Sequence, residues 1–322
     1  MERQELGDSG IAVNRLGIGL WAIGGGVWGP ADDRESLDTI DAALDHGVEF
    51  FDTADVYGDG HSEKILGQAM SGRRDRFVGT KLGWKGFDGD AGHSAYTTAE
   101  KVVEGVEENL RRLGTDYIDL IQCHINFREP TMERFLEGFE RLREAGKVRA
   151  YGVSTSDVPY MREFFSQSNA STLQVDYSIL NRTPEAEIFP YCRKEGITTI
   201  IRGALAMGIL AGKFTADTKF GNDDFRRAWI DDPEQRNVFL RDLETVDKLR
   251  PIAEAEGRTL AQLALGFVLS NDDASILIPG ARNVAQLEAN AEAVELGPLS
   301  DDALSRIEGI VARGDGRKIW PA

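Results

Sequence analysis

The stretch Gly47-Val48-Glu49-Phe50-Phe51-Asp52-Thr53-Ala54-Asp55-Val56-Tyr57-Gly58 decides how the rest of the chain is read. Val48 to Phe51 is an apolar run of the kind that forms a strand buried on both faces, and polar residues follow where such a strand would emerge. A carboxylate, Asp52, and a phenol, Tyr57, therefore arrive together at one strand end. Working outward, the next such run, Arg76 to Lys81, ends on a lysine, and Tyr117 to His124 ends on a histidine. Asp, Lys, His and Tyr at successive strand ends predict an assembled site.

The alternation of strand and helix extends in both directions. Upstream, Gln4 to Leu6 and Ile11 to Val13 flank the turn Gly7-Asp8-Ser9-Gly10 and read as a hairpin. From Asp32, apolar residues Leu37, Ile40, Ala43 and Leu44 recur at helical spacing, with His46 as a helix-end cation and Gly47 just beyond. Ser62 to Met70 reads as a second helix capped at its start, with His61 solvated beside it; Thr98 to Leu113 and Met132 to Ala145 are further helices, stopped by Gly114 and Gly146. Strands over 150–154, 173–177 and 198–202 alternate with helices near 158–166 and 185–194. An irregular charged segment runs from Lys213 to about Asp232; helices over 238–256 and 260–269, a strand over 274–280 and a last helix through Asn290 follow. Eight strand-like runs, each followed by a helical pattern and with no linker between them, predict an α/β fold of the (β/α)8 barrel type. A doubly wound open sheet is the alternative, but it would gather its polar strand ends at one switch point instead of spreading them along the chain.

Composition narrows the function classes. A chain of 322 residues accommodates one barrel, although length alone does not choose between one domain and two. Hydrophobic content of 41% and charged content of 28% fit a soluble globular protein, and no apolar run approaches a membrane span. The N-terminal Met1-Glu2-Arg3-Gln4-Glu5 lacks a signal-peptide core, and two cysteines, Cys123 and Cys192, form no disulfide framework, so a cytoplasmic setting is expected. A net charge of -17 argues against nucleic acid as a partner. It leaves room for a phosphorylated small molecule held by a local cluster drawn from Lys213, Lys219, Arg226, Arg227 and Arg282. The four histidines show no close ligand spacing, which speaks against a metal site.

Chemistry can be read from the four strand-end groups. A phenol with a pKa near about 10 is a poor acid at neutral pH, but an adjacent ammonium stabilises its anion. Lys81 would tune Tyr57, Asp52 would hold Lys81 charged and in place, and His124 would orient a carbonyl oxygen as it receives the phenolic proton. Such a site suits carbonyl reduction, with hydride from a nicotinamide, since no side chain donates one. Taken singly, each residue has a plainer reading: Asp52 as a helix cap, Tyr57 as an edge aromatic, Lys81 as a solvated strand end, His124 as a core histidine. The formal G-x-G-x-x-A match at Gly17 to Ala22 is rejected, because Gly24-Gly25-Gly26 and Pro30 follow where a dinucleotide-binding loop must enter a helix. Trp21, Trp28, Trp84 and Phe127, with Trp229 a further candidate, could wall a substrate pocket, and packing is an equal explanation for a tryptophan. Phe87 and His93 lie in the glycine-rich loop after Lys81, where His93 reads as a surface residue.

The sequences GVEFFDTADVYG, RRLGTDYIDL at 111–120 and GKVRAYGVS at 146–154 resemble the aldo-keto reductase family, and the likeness runs from about Leu6 to the final helical stretch. The resemblance implies a single barrel domain over 1–322, NADP(H) preferred over NAD(H), and a catalytic tetrad of Asp52, Tyr57, Lys81 and His124. By position it assigns Ser154, Thr155 and Gln174 to the nicotinamide amide, and Arg202, Gly203, Leu205, Gly208 and Lys213 to the ring and pyrophosphate. Gly280, Arg282, Gln286 and Asn290 fall where the family holds the adenosine 2'-phosphate and adenine, and Lys213, Arg226 and Arg282 would supply charge. For Arg226 a surface salt bridge is an equal reading. Two positions depart from the family: Thr155 stands where asparagine is usual, and Arg202 stands where an aromatic ring usually stacks on the nicotinamide. The implied activity is reversible reduction of an aldehyde, ketone or sugar-like carbonyl, the partner being a small carbonyl or alcohol and the oligomeric state open. A regulatory subunit on the same barrel, similar to potassium-channel β-subunits, is the alternative, and a non-redox isomerase would leave the C-terminal loop unexplained.

Overall fold

The computed structural model describes residues 3–73, 76–84, 95–124 and 132–319, so Phe87, His93 and Phe127 lie outside the described residues. Strands β1 (Arg3–Glu5) and β2 (Ala12–Asn14) form the expected antiparallel hairpin. Eight parallel strands follow: β3 (Gly17–Gly19), β4 (Phe50–Asp52), β5 (Phe77–Leu82), β6 (Ile118–His124), β7 (Val148–Ser154), β8 (Thr172–Asp176), β9 (Thr198–Arg202) and β10 (Ile276–Leu277). They lie side by side in chain order, and bridges from Leu16 to Leu277 and from Gly19 to Gly280 bring the first and last together into a barrel.

The surrounding helices begin with α1 (Asp33–Asp45), α2 (His61–Ala69), α3 (Ala99–Leu113), α4 (Met132–Glu144), α5 (Val158–Ser166) and α6 (Ile188–Glu195). They continue with α7 (Ala228–Asp231), α8 (Pro233–Ala255), α9 (Leu260–Leu269), α10 (Val284–Leu296) and α11 (Asp301–Glu308). Most starts are chemically marked: Asp32, Thr98, Asp157, Asp232, Thr259, Asn283 and Ser300 each accept a backbone N–H of the helix that they open.

Three expectations are corrected. Helix α2 has no side-chain cap; Gly60 precedes it in a left-handed conformation, and the Ser62 hydroxyl donates instead to the Leu20 carbonyl. The segment before Asp232 is only partly irregular, because Asp224 accepts the Arg226 N–H to open a short 3-10 turn that runs into α7. Helix α10 is not the last: Ser300 opens α11 after Gly297 and Pro298.

Inside the barrel, side chains alternate, so residues two apart share a face. Phe50, Phe77, Leu120, Ala150, Ile200 and Ile276 form an apolar floor, sealed from below by Leu6, Ile11 and Val13 of the hairpin. Two residues further along the same strands stand Asp52 above Phe50, Gln122 above Leu120 and Arg202 above Ile200. The polar groups thus collect at the carboxyl end of the barrel, where loops after the strands can reach them.

A buried ion pair holds the wall behind this end. Glu63 on α2 is fully buried, accepting from the Thr80 hydroxyl of β5 at 2.6 Å and from Arg112 Nε of α3 at 2.5 Å. Burial pushes the Glu63 carboxyl up, and Arg112 opposes that push. Removing one partner alone leaves a charge stranded in a dry site. Arg112→Met is therefore expected to lower the unfolding free energy by about 3 kcal/mol. Adding Glu63→Gln is expected to recover part of that loss, both read from urea unfolding curves.

Candidate active site

Asp52 ends β4, and the chain then turns tightly to present Tyr57. The turn is set by two backbones in contact: Gly58 has φ 60°, and a Cβ there would lie 2.0 Å from the Gly24 carbonyl oxygen. Only glycine fits, so the loop carrying Tyr57 is braced against the turn after β3. Thr53 and Ser62 complete the brace, the Thr53 hydroxyl donating to Ser62 at 2.8 Å.

Lys81 reaches up from β5 and spends its three protons on named acceptors. Its Nζ lies 2.5 Å from Asp52 Oδ1, 2.9 Å from the Thr53 carbonyl and 3.2 Å from the Tyr57 hydroxyl oxygen. Asp52 Oδ2 accepts from Gln174 Nε2 at 2.8 Å and from Gln122 Nε2 at 3.3 Å. Lys81 is 0% exposed and Asp52 2%, while Tyr57 and His124 keep 7% and 6%, so only the last two face the mouth. Because the phenolic oxygen accepts from Lys81, its own proton is available to a third group. The His124 ring stands edge-on to Tyr57 at 5.9 Å between centroids, and its buried Nδ1 has no partner.

The electrostatics differ in one respect from expectation. Lys81 does pull the Tyr57 hydroxyl down, but burial is the larger effect and Asp52 adds to it, so the phenol sits above its ordinary range. Burial would depress the Lys81 ammonium, yet Asp52 and then Tyr57 lift it above the usual lysine range. His124 is pushed well below the usual histidine range by burial first, then by the positive charges of Lys81 and Arg202. The site therefore offers a protonated phenol and a neutral imidazole side by side, two groups able to hydrogen-bond one carbonyl oxygen.

Three of the predicted wall residues meet at this mouth. Trp21 stacks on Tyr57 at 5.7 Å and 22°, Trp28 meets Trp21 edge-on at 5.3 Å, and Trp84 meets His124 edge-on at 5.5 Å. Trp229 stands one ring back, edge-on to Phe225 at 5.9 Å. Phe225 itself was missed by sequence reading; it stacks on the far face of Trp21 at 6.0 Å, giving a Tyr57–Trp21–Phe225 pile. Its signal was the recurrence of Phe214, Phe220, Phe225 and Trp229 within a charged segment.

The residues assigned to a nucleotide fall around the same end, with different employments. Ser154 lies opposite His124 and Gln174 in the sheet, whereas the Thr155 hydroxyl accepts the Asp157 N–H and serves the turn into α5. Arg202 ends β9 opposite Asp176, and its charge reaches Asp176, Tyr57 and His124. Gly203, Leu205 and Gly208 belong to a turn in which Ala206 and Met207 hold φ 50° and 55°, a left-handed pair rare for residues with a Cβ. Arg226 pairs with Asp224 at 2.6 Å, donates to the Met207 carbonyl and covers the Trp28 ring at 4.9 Å; this ion pair is largely buried, not at the surface. Arg282 donates to the carbonyls of Trp28 and Pro30 at 3.2 and 2.9 Å. Lys213 is exposed. Gln286 accepts the Arg282 N–H, and the Asn290 amide donates to the carbonyl of Gly280 beside the barrel closure.

These residues fit a dinucleotide. The buried Ser156 Oγ and Asp176 Oδ1 have no partner and stand beside β7 and β8, next to the orphaned His124 Nδ1 on β6. The start of α10 adds backbone donors of the kind that hold phosphates, whereas the Ala206 and Gly208 N–H groups of the strained turn donate to the Gly203 and Leu205 carbonyls. Among the described residues no cluster of His, Cys, Asp and Glu could hold a metal ion, and no helix is long and apolar enough to cross a membrane.

A neutral buried histidine makes stability pH-dependent with a definite sign. Below about pH 6.5 the unfolded chain takes up a proton at His124 that the folded chain refuses, so stability falls as pH drops from there towards the depressed folded value. Over that window the wild type is expected to lose about 1.4 kcal/mol per pH unit more than His124→Gln in parallel urea titrations.

Comparison with known proteins bears on this geometry. The model of the aldo/keto reductase family matches residues 15–312. The aldo-keto reductase YhdN of Bacillus subtilis is 38% identical over 299 residues, covering 91% of this chain and 88% of its own. The NADH-specific methylglyoxal reductase of Escherichia coli is 33% identical, covering 94% of this chain and 96% of its own. Among solved structures, a glycerol dehydrogenase from Gluconobacter oxydans superposes with a TM-score of 0.80 at 34% identity, covering 97% of this chain and 96% of that one. The family model and the relatives span nearly the whole chain, and the chain belongs to the aldo/keto reductase family.

Proposed function

We propose that the protein is an NADPH-dependent reductase of small aldehydes, ketones or sugar-like carbonyls, working reversibly, with Asp52, Tyr57, Lys81 and His124 as its catalytic groups. The observation that carries this reading is the sealed contact of Lys81 with both Asp52 Oδ1 and the Tyr57 hydroxyl. A nicotinamide held by Ser154, Thr155, Gln174 and Arg202 would supply the hydride. Tyr57 gives its proton to the carbonyl oxygen as the carbonyl carbon is reduced, and the ammonium of Lys81 stabilises the phenolate left behind. His124, neutral, donates a hydrogen bond that orients that oxygen. Trp21, Trp28, Trp84 and Phe225 would exclude water and limit substrate size, with Phe127 completing the wall.

Preference for NADPH over NADH is supported by Arg282 at the start of α10, and opposed by Asp32 and Glu35, which line the same cavity beside it. A relative that is 33% identical is NADH-specific by name, so the preference is expected to be modest, about tenfold. Two buried free thiols, Cys123 and Cys192, suit a reducing compartment such as the cytoplasm.

Fluorescence titration with NADPH and NADH, followed by a panel of carbonyls, tests the reading. Tyr57→Phe is expected to bind NADPH as the wild type does while kcat falls by at least about a hundredfold. Binding without turnover of any carbonyl by the wild type would instead favour the regulatory-subunit alternative. With the phenol protonated below its raised pKa and the imidazole neutral above its lowered one, kcat is expected to stay flat from about pH 6 to about pH 9. A guanidinium beside a ring that is cationic when oxidised opposes NADP+ more than NADPH. Arg202→Tyr is therefore expected to tighten NADP+ several-fold and NADPH little; equal affinities for both forms before and after the change would reject this role for Arg202.

A further inference from the structure

Gln122 lies within the buried polar layer, beside Asp52 and Gln174. It is 0% exposed, points into the barrel between Leu120 and His124, and stands opposite Lys81 in the sheet. A leucine would fill such a volume at no polar cost, whereas a buried amide is tolerated only when its hydrogen bonds are made. Gln122 makes two: its Nε2 donates to Asp52 Oδ2 at 3.3 Å, and its Oε1 accepts from Gln174 Nε2 at 3.5 Å. Gln174 Nε2 also donates to Asp52 Oδ2, at 2.8 Å.

The direction of this circuit follows from its members. Turning the Gln122 amide over would set its oxygen against the Asp52 carboxylate and its NH2 against that of Gln174, two repulsions in a dry site. Both amides therefore aim N–H groups at Oδ2, and that oxygen meets donors only. The terminal torsion of an aspartate is soft and nearly two-fold, so a carboxylate held by one oxygen can swing. Amide donors on Oδ2 remove that freedom and keep Oδ1 under the Lys81 ammonium, whose remaining protons go to the Thr53 carbonyl and Tyr57.

We propose that Gln122 is a positioning residue of this site: with Gln174 it locks the carboxylate of Asp52, and through it the seat of Lys81 beneath Tyr57. The rate readout rests on the reductase reading above; the melting readout does not. The charged groups bearing on Tyr57 here are Lys81, Asp52 and Arg202, and all three are retained in the variants that measure rate.

Gln122→Met keeps the volume and removes the donor; Gln122→Glu keeps the shape and donates only when protonated. In the full chain with NADPH, Gln122→Met is expected to lower kcat about tenfold, the rate equivalent of one hydrogen bond to a charged group. The carbonyl KM and the NADPH affinity should stay within about twofold, since no ground-state binding group is lost. Gln122→Glu is expected to regain turnover as the pH is lowered, which the wild type does not show. Thermal melts form the second arm: Gln122→Met should lower the midpoint by about 3 °C more in the wild type than in an Asp52→Asn background. Equal melting shifts in both backgrounds, or an active wild type whose kcat survives Gln122→Met, would reduce Gln122 to barrel filling and overturn the proposal. A coupled melt in a wild type that reduces no carbonyl would uphold the lock on Asp52 and reject the reductase reading instead. If Gln122→Met does not fold, the pH response of Gln122→Glu decides alone.

Discussion

An ammonium with no exposure to water is the constraint on which this structure turns. Sealing Lys81 inside a barrel would be prohibitive without a counter-charge at contact distance, and Asp52 provides it at 2.5 Å. The surrounding design follows from keeping that pair dry and still. Below it lies an apolar floor closed by the hairpin; beside it stand two amides; above it stand Tyr57 and His124, nearly buried. Burial keeps the imidazole of His124 neutral, and the enclosed positive charge of Lys81, with that of Arg202, adds to the effect at short range.

Much of this was legible in the residues because strand ends in a parallel barrel are written in order along the chain. Asp52, Lys81 and His124 each close an apolar run, and a reader who follows the runs meets the site. The start of α2 was misread because Ser62 looks like a cap, while its hydroxyl is engaged across the loop with Leu20 and Thr53. Gln122 was invisible for a different reason: a single polar residue inside a strand carries no local signal, and its meaning depends on Asp52 and Gln174, far away in sequence. Phe225 and α11 were lost in segments whose charge obscured their apolar spacing. The lowering of the Tyr57 pKa by Lys81 was foreseen, but its defeat by burial was not, since sequence gives the neighbour and not the degree of enclosure.

Three segments remote in sequence are tied together over the mouth. The loop of residues 22–31, the stretch of residues 205–227 and the start of α10 meet through Arg226 over Trp28 and through Arg282 on the carbonyls of Trp28 and Pro30. The main chains join as well, Phe225 N–H donating to the Val27 carbonyl at 2.8 Å. Cationic side chains that read as phosphate ligands in the sequence are thus the fasteners of the rim, and Trp21, stacked on both Phe225 and Tyr57, lies between that rim and the phenol.

The hairpin beneath the floor has a consequence for the charges above it. Leu6, Ile11 and Val13 pack against the floor residues and close that end of the barrel with hydrocarbon. Three apolar side chains on the opposite side of the barrel from Tyr57 thereby help to keep water from the Lys81–Asp52 pair.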